Sequence, residues 1–168
     1  MLTYHPAFDV YNCAFRELLL LENLSTKQAP IGLLRVLDFY LLFPELAEKC
    51  KLPKELSSYK KELKTLRRSY CDIQEPLRVF AQLEPYQDAA LEMLVSCGLI
   101  SSEDLKRGMV VRTSALLPMK IAEQLMREKQ ENQLLVDFLC NHFAKSEFYG
   151  KSGIKSRTGL LEFNYDSK

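Results

Sequence analysis

Glycine, histidine and closely spaced cysteine are what this chain has least of, and each shortage removes a class of function. With six glycines, and neither G-x-x-x-x-G-K-[ST] nor G-x-G-x-x-G among them, no loop is available to cradle a phosphate by its backbone amides. Nucleotide chemistry is therefore not expected. The two histidines, His5 and His142, stand at opposite ends of the chain, and neither H-E-x-x-H nor G-x-S-x-G occurs. Cys13, Cys50, Cys71, Cys97 and Cys140 are widely separated, with no C-x-x-C pair, so neither a disulfide framework nor a zinc site is indicated and most should be buried thiols. The longest apolar runs, Leu18 to Leu21 and Phe39 to Phe43, fall far short of the ~18 residues that a membrane span needs. The opening residues lack a basic segment followed by an apolar one, which argues against export and for the cytosol. No catalytic residue, metal, cofactor, membrane or small-molecule substrate is expected; an enzyme would need an unfamiliar polar pocket with clustered titratable groups.

What is present is apolar material and helical spacing. At 168 residues and 47% hydrophobic composition, the chain can bury one ordinary core. Asp9 can cap a helix from Val10 to about Leu24, and Leu18 to Leu21 make it apolar on much of its circumference, as suits a helix clamped between others or covered by a second chain. Pro30 should open a second helix that Pro44 interrupts or restarts. A third is expected from about Lys54 to Tyr70, and a fourth from Pro76, cut short by Pro85. A helix from Pro85 then ends at Gly98 as a C-terminal cap.

Beyond Gly98 the pattern changes. Leu99-Ile100, a polar stretch, and Met109-Val110-Val111-Arg112-Thr113 with its β-branched residues read as a strand pair with a charged turn, the layout of a winged-helix unit. Pro118 should start the longest helix, with a break allowed at Gln130 to Gln133, and Leu160-Leu161-Glu162-Phe163 could add a strand or dock on a partner. The expected fold is mainly α: a compact helical domain with a winged-helix-like unit containing a short β-hairpin. Residues 1–84 form its N-terminal helical region, 85–146 the winged-helix-like unit and long helix, and 147–168 a basic tail, around one shared core.

Charge is segregated on the third helix. At about 100° per residue, Lys60, Lys61, Lys64, Arg67 and Arg68 share one sector, and Leu56, Tyr59, Leu63, Leu66 and Tyr70 another. From Lys51 to Arg68 the acidic residues are Glu55 and Glu62 alone, in a chain whose net charge is +1. Such a run commonly marks a solvated face; its functional readings are a phosphate-backbone surface or a dock for an acidic protein. Lys106, Arg107 and Arg112 would add to it beside the proposed wing. Groove entry by the Pro85 helix is opposed, because it would offer Gln87, Asp88, Glu92 and Ser96.

The N-terminal arm, Tyr4-His5-Pro6-Ala7-Phe8-Asp9-Val10-Tyr11, concentrates aromatics before the first helix. These are either staple and core residues or anchors for a partner groove. Together with Phe15-Arg16 and Leu37-Asp38-Phe39-Tyr40-Leu41-Leu42-Phe43-Pro44, the arm resembles the middle components of bacterial ABC-three-component systems. The specific wording covers the first quarter of the chain; the rest agrees in size and layout. The resemblance implies an accessory subunit that bridges an SMC-like coiled-coil ABC ATPase and an effector in anti-phage or anti-plasmid defence of the Lamassu type. Partner binding would fall to Tyr4, His5, Pro6, Phe8, Tyr11, Phe15 and Arg16, with nonspecific DNA met through the complex. The competing reading is a free-standing winged-helix transcription regulator, which predicts a homodimer that binds specific DNA.

Overall fold

A computed structural model describes residues 5–66, 75–146 and 153–161. It is mainly helical, and its organising element is α1, Val10–Asn23. Asp9 caps α1 as the sequence predicts, its Oδ1 accepting from the Asn12 amide at 2.8 Å. Four successive leucines sweep the whole circumference of a helix, so Leu18, Leu19, Leu20 and Leu21 can all be buried only if neighbours surround it. They do: α2 (Ile31–Leu42), α5 (Pro76–Ser96), α7 (Met119–Glu131) and α8 (Gln133–Asp137) all pack on α1. Clamping within one chain thus accounts for the apolar surface.

Between these lie short helices α3 (Pro44–Glu48), α4 (Tyr59–Thr65) and α6 (Ser102–Lys106), with α9 (Ile154–Thr158) near the end. Pro44 stands at the first position of α3, where its missing N–H costs nothing. The long third helix is not found: a 3-10 turn at Lys54–Leu56 precedes the brief α4, and Arg67, Arg68 and Tyr70 lie outside the described residues. Leu56 and Leu63 nevertheless face inward as their spacing requires.

Pro85 does not end a helix. α5 runs through it, across the division placed at residue 84. Proline removes one helical hydrogen bond, a cost of about 3 kcal/mol. Pro85 and Ala81, whose carbonyl loses its partner, both lie on the exposed side, where water can take that carbonyl. Phe80 and Leu83 before the proline and Ala90, Leu91 and Leu94 after it are buried, so packing holds both halves in line. At the far end Gly98, at φ 70°, completes a Schellman turn: its amide donates to Val95 O at 2.8 Å and that of Leu99 to Leu94 O at 2.9 Å.

The strand over Met109–Val111 (β2) exists, but its ladder partner is Gln28–Pro30 (β1), antiparallel with Gln28 opposite Val111. Three residues holding a proline carry no alternating pattern, so β1 is invisible to periodicity. The expected hairpin is reduced to one bridge, Ile100 to Arg112, and helix α6 replaces its charged turn. α7 does start after Pro118 and breaks at Asn132, though α5 is longer. α8 continues into a π-helical turn, Phe138–His142. Leu160 and Leu161 form no strand and are buried against this chain's own body instead of being offered to a partner; Glu162 and Phe163 lie outside the described residues.

Candidate interaction groove

α7 buries little: of its side chains only Leu125 is fully enclosed. It stands off from α1 and the end of α5, leaving a groove of about 710 Å³. Phe15, Leu18, Leu94 and Ile121 line its floor, and Arg127, Glu128 and Glu131 supply charge of both signs at its edge. Two of its lining residues are large and exposed, Tyr11 at 76% and Leu116 at 93%. A groove with apolar lining and charged residues among its walls has the character of a docking site. Cys97, also at the groove, is an exposed free thiol.

Behind it lies a buried polar cluster. Asp38, on α2 and fully buried, accepts from Arg16 Nε at 2.6 Å and Nη2 at 3.2 Å, and from Gln87 Nε2 at 2.9 Å. One carboxylate thus ties α1, α2 and α5 together. Burial, with Asp38 adding repulsion, pushes the Glu17 carboxyl well above its usual range. The same burial, reinforced by the charges of Asp38 and Glu17, pushes the Cys13 thiol up, so it remains protonated and is no nucleophile. Burial also raises Cys50 to about 11 and Cys140 to about 12. Glu17, Asp38 and Gln87 are each at most 1% exposed, and their contacts register three helices. No group of residues able to hold a metal ion occurs among the described residues, and no described helix is long and apolar enough to cross a membrane.

A family model described as ABC-three component (ABC-3C) system Middle Component 5 matches residues 2–166. The chain belongs to that family. Neither the curated proteins nor the solved structures contain a match. The resemblance read in the first quarter of the middle component therefore extends over nearly its whole length.

The structure sorts the residues singled out in the middle component's sequence. Tyr11 and Phe15 do line the groove. Phe8 instead packs edge-on against Tyr86 at 5.5 Å, and His5 Nδ1 accepts from the Ala7 amide at 3.2 Å, so the arm folds back onto the body around buried Ala7 and leaves Pro6 exposed. Arg16 is committed to Asp38; Tyr4 lies outside the described residues. Arg112 is likewise engaged within the chain. Its guanidinium donates to Glu22 Oε1 at 2.5 Å, Leu99 O at 3.1 Å, Thr113 O at 2.8 Å and Ala115 O at 2.8 Å. Burial opposes a charge on Glu22, but the bonds from Lys27 and Arg112 prevail and hold its carboxyl below the usual range.

Gln87, expected on an exposed face, is fully buried, and Asp88 is paired with Arg35. Lys61 and Lys64 are exposed and Lys60 half-buried, with Lys64 reaching Glu48 at 3.5 Å; Lys106 and Arg107 are exposed at the end of α6. Leu116, Met93, Cys97 and Ile121 were not among the site residues expected from the sequence.

Proposed function

We propose that this middle component is a non-catalytic accessory subunit that bridges an SMC-like ABC ATPase and an effector, in anti-phage or anti-plasmid defence of the Lamassu type. The observation that carries the reading is the groove between α1, α5 and α7, with exposed Tyr11 and Leu116 in its lining. Its occupant is an amphipathic helix of the ATPase, whose apolar side chains at helical spacing would fill a trough walled by helices. The charges of Arg127, Glu128 and Glu131 would set its register. The subunit's cationic face, in turn, assists contact of the complex with DNA.

The test is affinity purification of the tagged chain expressed with its neighbouring components, for wild type and for Tyr11→Asp with Leu116→Asp. Both positions are exposed, so the fold should survive, as circular dichroism would verify. Wild type should bring down a long coiled-coil ATPase and gain thermal stability from it, and the variant should lose it. Retention of the ATPase by the variant overturns the groove assignment. A wild-type homodimer that binds one DNA sequence on its own would favour the regulator.

A further inference from the structure

The structure joins two basic stretches that lie far apart in sequence. Arg157 Nη1, on α9, donates to the Lys51 carbonyl at 2.8 Å across 106 residues of chain, and fully buried Ile154 seats α9 on the body. Lys60 lies near enough to Cys50 to influence its thiol, and Lys64 neutralises Glu48. The Cys50-Lys51 corner is therefore a hub. Exposed Lys49, Lys51, Lys54, Lys61 and Lys64 surround it, and α9 adds Lys155 and Arg157 against the opposing charges of Glu55 and Glu62.

We propose that this composite surface, α9 included, is the site where the subunit grips the phosphate backbone of duplex DNA without reading sequence. The proposal rests on the reading that the subunit meets DNA within its complex, and it redraws which residues do so: Arg112 is spent internally, and Lys106 and Arg107 sit on α6 beside Glu103 and Asp104. Duplex fits better than the alternatives. Protein interfaces are depleted in lysine and need apolar anchors, yet no large apolar side chain of residues 45–66 or 153–161 is exposed. Leu134 shares a hollow with Ser58, Tyr59, Glu62, Gln133 and Asp137, whose two charged residues are acidic. Single strands call for exposed stacking rings, and Tyr59 is half-buried against Phe138 and His142. Lysine ammonium groups around a corner instead supply point charges for phosphates.

The experiment is fluorescence anisotropy of the full chain with a labelled mixed-sequence duplex of about 20 base pairs, across a salt series. If about four phosphates are neutralised, affinity should fall about 100-fold between roughly 50 and 200 mM salt. Lys51→Glu with Lys155→Glu should weaken binding at least about tenfold and lower the salt slope by about two. Lys106→Glu with Arg107→Glu should change neither, and melting temperatures should verify that all variants fold. If Lys61→Glu with Lys64→Glu weakens binding and the Lys51 and Lys155 pair does not, the composite surface is overturned while the DNA reading stands. No duplex binding by wild type even at the lowest salt overturns both. Displacement of DNA by polyglutamate of matched charge would assign the surface to an acidic protein and overturn the duplex proposal.

Discussion

Arg16→Met probes the most consequential contact in the core. Asp38 is fully buried and takes two hydrogen bonds from Arg16, at 2.6 and 3.2 Å, and one from Gln87 at 2.9 Å. Without the guanidinium, its charge retains one amide donor and the Cys13 thiol at 3.9 Å, a weak donor. Removing one partner of a buried pair costs about 3–5 kcal/mol, because the other charge stays behind without compensation. Against a total stability of about 5–15 kcal/mol that is a large share. With a urea m-value of about 2 kcal/mol/M, the unfolding midpoint should fall by roughly 2 M with m unchanged. Arg16→Met with Asp38→Leu should recover most of the loss, since both charges are gone. Recovery stops short because Gln87 Nε2 then lacks its acceptor, at about 1–3 kcal/mol, and Gln87→Leu as a third change should return that too. A midpoint shift under about 0.5 M for Arg16→Met alone would refute the reasoning, as would a double variant no better than the single.

The remaining predictions concern pH, a turn and a thiol. The folded chain holds the Glu17 proton that the unfolded chain releases at the ordinary carboxylate value. Stability should therefore be fully present below about pH 4.3 and decline above it, by up to about 1.4 kcal/mol per pH unit, until Glu17 ionises in the fold. Glu17→Gln should flatten that decline, as read from urea midpoints at about pH 5 and about pH 7; a parallel decline in the variant would place its origin elsewhere. Gly98→Ala meets nothing within 4 Å but forces a side chain at φ 70°, so it should cost about 1–2 kcal/mol in thermal unfolding through the backbone alone. Cys97 is exposed at the groove while Cys13, Cys50 and Cys140 are buried. In a Cys71→Ser background, maleimide should label Cys97 quickly and bound ATPase should slow it; an ATPase that still binds the labelled chain would not be seated there.

Local signals were legible where one residue decides them. Asp9 as cap, Pro44 as restart and Gly98 as terminator follow from side-chain reach, a missing N–H and a missing Cβ, none of which needs a distant partner. Pro85 misled because its penalty is local while the packing of Leu83 and Leu91 that outweighs it is not. Gln87 and Arg16 read as surface groups because polarity is visible in a sequence and the partner that permits burial is not. The groove was half legible: Tyr11 and Phe15 were candidates, but their exposure depends on α7 standing off from α1.

By itself the sequence determined the helical class, the caps and the want of any familiar catalytic motif, because these depend on residues within a turn or two of one another. It also carried the family, whose model spans residues 2–166. Only the tertiary structure decided that β2 pairs with Gln28–Pro30, that Asp38 gathers Arg16 and Gln87, and that Arg157 brings α9 to Lys51. Those contacts join segments from 22 to 106 residues apart, and they exist only once the leucines of α1 have drawn the surrounding helices around it.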